Sequence, residues 1–289
     1  MASDNTWCTF EINGKTLTFD GKANTRTPYK MTLIEGLSAS DYEVNVVSSG
    51  EGHGGRVSGK RVKEREITIE GEYRGAEDVD DQEDMLIGFF TPLSSGKLTV
   101  NKGGRQRYIN FELSSFQVKR ENYYHRLGFQ IILLCPDPFF KSIDAFSQNM
   151  ASRIPLVRAA FFIPPSGHVS SIKRFTQEAH ILNNGHKPTG LNIEMIAGGD
   201  VENPKLTNLT TGEYIRINVT LKKGDVLLVN TVQGETDITL NGEKITHLKD
   251  RGSRYFQMVV GDNILRYDAD RGYVNLNVYP RYREEWLGI

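Results

Sequence analysis

The sequence predicts a mainly β protein of two domains, and three observations carry this prediction. In its last third, short runs of alternating apolar and polar residues are separated by turn residues at close intervals, which leaves room for strands but hardly for helices. Only residues 78–90 have the pattern of an amphipathic helix. The length of 289 residues is enough for two domains that each bury a core.

The N-terminal half begins with a hairpin. Asn13-Gly14 lies between two alternating runs, residues 8–12 and 15–19, and both central positions of a type I′ turn require positive φ. Residues 44–47 and 65–73 alternate as two further strands. The polar, glycine-rich segment 48–61 between them predicts a long, mobile hairpin tip.

The predicted helix has acidic residues in its first turn, where they favour the helix dipole, and Pro92 ends it. Further strands are predicted at residues 98–100, 109–113 and 126–134, and two prolines, Pro136 and Pro138, terminate the last of them. The apolar residues expected on the inner face of the helix are Met85, Leu86, Phe89 and Phe90.

The first domain is therefore predicted at residues 1–141, followed by a connecting segment at 142–178 and a β-sandwich at 179–289. In the sandwich, strands are predicted at residues 214–221, 226–229, 255–259 and 273–278. The turns between and around these strands are predicted at Asn203-Pro204, residues 210–213, Gly224-Asp225, Asn241-Gly242 and residues 261–263.

Charge and composition exclude several classes of protein. Lys and Arg number 35 against 36 Asp and Glu, so no global positive field exists to hold nucleic acid or an anionic membrane. No apolar run reaches 18 residues and no basic and apolar leader opens the chain, which predicts a soluble product made in a cytoplasm. Cys8 and Cys135 are far apart, and we expect both to be reduced and structural.

Motifs of catalysis and metal binding are absent or out of context. Residues 54–60 match GxxxxGK, but Arg61 stands where a P-loop needs Ser or Thr, and the residues that follow alternate as a strand rather than a helix. The histidines have no metal-ligand spacing, and no serine has the GxSxG context. We therefore expect no catalytic residues, no metal ligands and no cofactor, and a protein that is not an enzyme.

The order of the parts resembles the siphophage distal tail (Dit) family, whose C-terminal domain is galectin-like. In the N-terminal half the resemblance rests on Gly36-Leu37, residues 42–44, the glycine-rich segment, residues 65–71, the acidic helix, residues 96–100 and the run Cys-Pro-Asp-Pro-Phe-Phe at 135–140. In the C-terminal half it rests on Asn-Pro, Thr-Thr-Gly-Glu, Gly-Asp, Gly252-Ser253 and Gly-Asp-Asn in that order.

This resemblance implies a structural protein at the tip of a phage tail, made in the cytoplasm of the bacterial host. Its N-terminal domains would form a ring, usually a homohexamer, with the galectin-like domains outside it. The family binds the major tail tube protein above and the tail-associated (Tal) protein below, and some members carry receptor-binding proteins on the outer domain. Defective prophages and phage-derived bacteriocins use similar parts.

Two sets of residues are candidates for interfaces. The glycine-rich tip is costly to order alone, so partner contacts should offset the lost entropy, and its basic side chains offer donors to acidic groups of a neighbour. The candidate subunit-contact residues are Gly54, Gly55, Arg56, Lys60 and Arg61. Tyr282 and Trp286 belong to residue types enriched at interface centres, with the alternative that the final strand docks on its own domain.

Carbohydrate binding is the second functional hypothesis, because a galectin-like sandwich can stack a sugar on an aromatic ring. A fold does not confer the site. Galectins use a His, an Asn-Pro-Arg type stretch and a Trp in one sheet, whereas here Asn203-Pro204-Lys205 is predicted at a turn and Trp286 is close to the C-terminus.

Overall fold

The structure is a computed structural model that describes residues 6–21, 27–48, 50, 53–120, 126–147, 150, 152–155, 171–174 and 177–289. It divides into two compact units. Unit 1 comprises Met1–Ile143 and Glu285–Ile289, and unit 2 comprises Asp144–Glu284. Unit 2 is thus inserted between two parts of unit 1. The sequence-based division assigned the last five residues to the second domain, and the structure differs because these residues pair with a strand of unit 1.

Unit 1 is built on a nine-stranded sheet in the order β24-β10-β8-β7-β1-β2-β3-β6-β9, and β8 also pairs with β9. The first half of β8 pairs with β7 and its second half pairs with β9, which closes the sheet into a barrel. A register shift between Leu113 and Ser115 lies within the pairing of β8 with β9. Its elements are β1 (Trp7–Ile12), β2 (Lys15–Gly21), β3 (Tyr29–Ile34), β4 (Tyr42–Ser48), β5 (Gly55–Val62), β6 (Arg65–Tyr73), α1 (Val79–Phe89), β7 (Ser95–Lys102), β8 (Arg105–Lys119), β9 (Gly128–Cys135), β10 (Phe140–Ser142) and, from the C-terminus, β24 (Glu285–Trp286).

The barrel interior is filled by aromatic rings. The ring of Phe10 packs edge-on against that of Phe90 with centroids 5.1 Å apart, and the ring of Phe19 lies 4.9 Å from that of Phe129. Cys8 and Cys135 are buried free thiols in this core, and burial raises the pKa of both, that of Cys135 to about 12.

The predicted helix is confirmed as α1. The side chain of Asp78 accepts a hydrogen bond from the backbone N–H of Asp80 at 2.9 Å and so caps its first turn. Leu86 and Phe89 are buried, whereas Met85, which the sequence placed on the inner face, is 38% exposed. No helix in the described residues has the length and apolar character needed to cross a bilayer.

The hairpin at Asn13-Gly14 is also confirmed, with φ of 50° and 76° at its two central residues. The prediction of a mobile tip over residues 48–61 is wrong for the second half of this segment. Gly55–Val62 is strand β5, which pairs with β4 in a separate two-stranded sheet. The alternation within residues 55–62 is weak, so the pairing with β4, rather than local pattern, determines this strand.

Unit 2 is a β-sandwich around one apolar core. A six-stranded sheet has the order β11-β23-β15-β19-β20-β21, a five-stranded sheet contains β14-β22-β16-β17 with β18 beside β16, and β12 and β13 form a separate hairpin. The strands are β11 (Phe146–Ser147), β12 (Ser152–Pro155), β13 (Ser171–Arg174), β14 (Glu178–Asn183), β15 (Asn192–Ala197), β16 (Val201–Asn208), β17 (Tyr214–Arg216), β18 (Thr220–Leu221), β19 (Val226–Asn230), β20 (Asp237–Leu240), β21 (Glu243–Lys244), β22 (Gly261–Arg271) and β23 (Leu276–Tyr282), with 3-10 turns at Thr246–Leu248 and Tyr273–Asn275.

Several predicted elements of the sandwich are different in the structure. Residues 255–259 do not form a strand, because only Met258 makes a backbone pair, with Thr189. The predicted turn at Asn203-Pro204 lies inside β16, whose register with β22 continues across it. Asn203 has φ of 50° there, and its side chain donates to Asp270 at 2.8 Å. Residues 261–263 begin β22, residues 214–221 split into β17 and β18, and the first part of 273–278 is a 3-10 turn.

The predicted connecting segment belongs in part to unit 2. Met150 is buried in the core of the sandwich, and β12 and β13 also fall within residues 142–178. The run of residues 161–167, which contains Pro164-Pro165 and Gly167, also predicts a turn, and it lies outside the described residues.

Candidate functional surfaces

The first candidate surface is the two-stranded sheet of β4 and β5, which we call the ribbon (residues 42–62, described at 42–48, 50 and 53–62). Its base is closed by a hydrogen bond from the N–H of Lys63 to the carbonyl of Asp41 at 2.8 Å. An isolated two-stranded hairpin is marginal in water. The ribbon therefore needs a reason to be ordered beyond its own hydrogen bonds.

One face of the ribbon is apolar and exposed. Tyr42, Val44 and Val46 alternate on β4, and the paired residues of β5 on the same face include Val57, opposite Val46, and Lys60, opposite Val44. Tyr42 is 76% exposed, and Val46 is 59% exposed. Exposed contiguous apolar surface of this kind marks an interaction site.

The other face of the ribbon is polar. It carries Glu43 opposite Arg61, with Nε of Arg61 3.0 Å from the carboxylate, and Val47 opposite Arg56. Both members of the Glu43–Arg61 ion pair are in contact with solvent, so the pair adds little to stability. The ribbon is thus amphipathic, with its apolar side uncovered in the single chain.

The structure places all five predicted subunit-contact residues in the ribbon. Gly54 has φ of 94° in the turn, and Gly55 begins β5 against Val46, whose Cγ1 would lie 2.6 Å from a Cβ at position 55. Arg56 and Arg61 share the polar face, and Lys60 lies on the apolar face. The exposed valines were missed because the sequence placed residues 44–47 in an ordinary strand of the domain.

The P-loop resemblance of this segment has no structural counterpart. Residues 55–60 lie inside β5, and the chain continues into β6 rather than into a helix that could bind phosphate at its N-terminus. Within the described residues, no three His, Cys, Asp or Glu side chains come together as a metal site requires.

The second candidate pair, Tyr282 and Trp286, is separated between the two units. Tyr282 ends β23 in unit 2, where it is 7% exposed and its hydroxyl donates to the carbonyl of Leu182 at 2.9 Å. Trp286 lies in β24 of unit 1, opposite Phe140, with the guanidinium of Arg107 3.7 Å from its ring centre. Both rings therefore make contacts within the chain, and a partner interface at either residue stays a prediction.

The C-terminal residues that follow Trp286 are bound to unit 1 by its buried arginine. Arg65 is 3% exposed and donates hydrogen bonds to four backbone carbonyls, including that of Pro138 at 2.9 Å. Burial lowers the pKa of its guanidinium. The other three carbonyls belong to Gly36, Ser38 and Leu287. One side chain thus ties together three stretches of unit 1 that are distant in sequence.

Unit 2 carries an open groove between an edge strand of each sheet, β11 and β14. It has a volume of about 470 Å³. The ring of Phe146 stacks on that of Tyr282 with centroids 5.3 Å apart and an angle of 18° between the planes. Phe146 is 47% exposed, so a ring face is available in the groove. The remaining lining residues are Ser147, His180, Ile181, Leu182, Asn184 and Pro280.

Comparisons with known proteins agree with this architecture. Residues 184–286 match the model of the family described as siphovirus-type tail component, C-terminal domain. The crystal structure of the Dit protein of phage SPP1, described as a paradigm of the hub adsorption apparatus in phages that infect Gram-positive bacteria, matches with a TM-score of 0.69 at 12% sequence identity, over 96% of this chain and 98% of that chain.

Two structures of the phage P2 baseplate in its activated conformation also match. The one with Ca has a TM-score of 0.48 at 10% identity, over 96% of this chain and 98% of that chain. The one with Sr has a TM-score of 0.47 at 9% identity, over 96% and 97%. No curated protein sequence matches the chain.

The match of residues 184–286 covers most of the sandwich of unit 2, and the match to SPP1 Dit extends the common fold over nearly the whole chain. On these findings residues 184–286 are similar to the C-terminal domain of siphovirus-type tail components, and the fold of the chain is similar to that of the SPP1 Dit protein.

Proposed function

We propose that this protein is a non-enzymatic hub that forms a ring at the tip of a phage tail, most simply a homohexamer, through unit 1. In the virion it would bind the major tail tube protein on one side and the tail-associated (Tal) protein on the other. Unit 2 would be available outside the ring to carry a receptor-binding protein. The protein itself would be made in the cytoplasm of the bacterial host.

The observation that carries the proposal is the uncovered apolar face of the ribbon. In a ring, each subunit uses one surface to contact a different surface of the next, and the contacts close when the rotation divides a full turn. An exposed ribbon with valines on one side suits such a contact, since burial in a neighbour would remove those side chains from water.

A substitution on the apolar face of the ribbon should weaken assembly and leave the fold of the chain intact. Val46→Asp is expected to raise the protein concentration for half-assembly at least tenfold, which corresponds to about 1.4 kcal/mol per contact, because it puts a charge on the apolar face. Mass photometry or analytical ultracentrifugation of the full chain measures the effect.

Val47→Asp is the matched control. Val47 is the same residue type, is 61% exposed and is adjacent in β4, but it lies on the polar face opposite Arg56. It should assemble like the parent protein. Equal assembly of the parent and Val46→Asp would exclude the apolar face from the contact, and a parent that stays monomeric at all concentrations would argue against ring formation.

Carbohydrate binding in the unit 2 groove is the second candidate, favoured by the exposed ring face of Phe146 beside His180 and Asn184. The stretch at Asn203 and the ring of Trp286 are not in the groove, so this site differs from the galectin arrangement. A glycan array followed by calorimetric titration tests it. Saturable binding that Phe146→Ala abolishes would support the site, and absence of binding across cell-wall and surface sugars would reject it.

A further inference from the structure

Helix α1 presents an exposed stripe on the side opposite its buried residues. Asp80, Asp84 and Ile87 are spaced i, i+4 and i+7 and therefore share one side of the helix. Ile87 is 49% exposed, while Leu86 is fully buried. An apolar side chain thus lies in water at the C-terminal end of the helix, on the same side as two carboxylates that precede it.

Gly88 is next to Ile87 in the last turn of the same helix. Glycine is among the least favourable residues in a helix interior, and it is tolerated where another backbone or a ligand approaches closely. Apart from its chain neighbours and the backbone of its own helix, no atom of the described residues lies within 4 Å of the position that a Cβ of residue 88 would occupy. Packing within the single chain therefore gives no reason for a glycine here.

The turn after the helix carries a second unexplained residue. The N–H of Ser94 donates to the carbonyl of Thr91 at 3.2 Å, and Pro92 and Leu93 are the central residues of this turn. Leu93 has φ of 63°, a conformation in which glycine or asparagine is favoured, and its side chain is 96% exposed. A strained and fully exposed apolar residue is typical of a site that another molecule covers.

The ribbon has the chemistry that complements this surface. Its apolar face carries Val44, Val46 and Val57 together with Lys60, and the helix stripe offers Ile87 and the neighbouring carboxylates. A head-to-tail ring requires an acceptor that is distinct from the ribbon and exposed in the single chain. Charge of opposite sign on the two surfaces would also fix their register.

We propose that the ribbon of a second copy of this chain docks on one surface of unit 1, which we call the acceptor surface. It comprises Asp80, Asp84, Ile87, Gly88 and Leu93. The inference rests on the ring assembly proposed above and identifies the surface that the ribbon contacts on the neighbouring subunit. The acceptor surface accepts apolar side chains at Ile87 and Leu93, admits close approach at Gly88, and offers Asp84 to Lys60 on the apolar face of the ribbon. Asp80 is already paired with Arg120 of its own chain at 2.5 Å and adds negative charge to the surface.

The first test separates stability from assembly. Leu93→Gly relieves the backbone strain of residue 93, so the variant should unfold at the same or a higher urea concentration than the parent. Its concentration for half-assembly should nevertheless rise at least tenfold, because the contact loses its most exposed apolar side chain. A variant that assembles as well as the parent would contradict the role of Leu93.

The second test uses a matched pair on the helix. Ile87→Lys should abolish assembly at concentrations where the parent is fully assembled, because it removes the apolar contact and places a positive charge opposite the ribbon face that carries Lys60. Met85→Lys, on another side of the same helix, should assemble like the parent. Equal effects of the two substitutions would show general damage to the helix and overturn the assignment.

Cross-linking then identifies the two surfaces directly. Val46→Cys and Leu93→Cys, mixed and treated with a short bis-maleimide, should give a covalent heterodimer, and the double variant should give a ladder that ends at the ring. The native thiols Cys8 and Cys135 are buried and should not react. If the parent forms rings, but the cross-link is absent and Ile87→Lys still assembles, the assignment of the acceptor surface is wrong while the proposed ring stands. A parent that never assembles overturns the ring, and this inference with it.

Discussion

Removal of Glu285–Ile289 is expected to lower the free energy of unfolding of unit 1 by about 3–5 kcal/mol, the range for loss of a large, well-packed side chain with its neighbours. The deletion removes the pair of Trp286 with Phe140 and the contact of its ring with Arg107. It also removes the hydrogen bond from the N–H of Ile289 to the carbonyl of Leu37 at 3.0 Å.

Tryptophan fluorescence during urea unfolding measures this effect in unit 1 alone. The chain has two tryptophans, Trp7 and Trp286, and both belong to unit 1, so Trp7 remains as the reporter after the deletion. Arg281→Ala is the control, because Arg281 pairs with Glu194 inside unit 2 at 2.6 Å and should not move the Trp7 transition. An unchanged midpoint in the deletion variant would show that the C-terminal residues add no stability.

Arg65→Met is expected to destabilise unit 1 by a similar amount, about 3–5 kcal/mol, through a different cause. The substitution keeps an apolar stem of similar length but removes the donors to four carbonyls. Each buried acceptor that loses its donor lowers the free energy of unfolding by about 1–3 kcal/mol, and water molecules that enter the site recover part of this loss. Trp7 and Trp286 fluorescence, followed through urea unfolding, reports the change.

Two further variants test the cause assigned to Arg65. Arg65→Lys keeps the charge but lacks the planar fork of donors, so its stability should lie between those of the parent and Arg65→Met. Arg61→Met removes an arginine whose side chain is 66% exposed, and it should cost less than about 1 kcal/mol. If Arg65→Met and Arg61→Met had equal effects, the four carbonyls would not be the reason for the stability that Arg65 adds.

Local signals in the sequence were sufficient for the elements that depend on near neighbours. The acidic first turn and the apolar spacing of residues 78–90 predict α1, which spans Val79–Phe89. Asn13-Gly14 predicts its hairpin, because the two residues alone satisfy the required φ values. The turn residues of the last third likewise predict a mainly β fold.

Elements that depend on distant partners could not be predicted in the same way. Strand β5 has little alternation of its own and exists because Tyr42–Ser48 pairs with it. The extended segment at residues 255–259 has the alternation of a strand, but only Met258 finds a backbone partner. Asn203-Pro204 has the residue types of a turn, yet Asn203 adopts its positive φ inside β16 while the pairing with β22 keeps its register.

The candidate surfaces show the same division. Glycines and basic residues at 54–61 direct attention to the ribbon, since unordered glycine-rich segments need partners to become ordered. The apolar character of the ribbon depends on which residues of β4 and β5 share a face, and this needs the register. The position of Trp286 beside Phe140 joins residues that are far apart in sequence, so no local pattern could indicate it.

The insertion of unit 2 between Ile143 and Glu285 has a practical consequence for exchange of parts. Lys141 and Glu285 are directly paired across neighbouring strands, so the polypeptide leaves unit 1 and returns to it at nearly the same point. A short turn can bridge that gap with a small entropic cost of loop closure. Unit 2 can therefore be exchanged as a whole. We expect a domain whose two ends lie close together to replace it without altering the strands of unit 1.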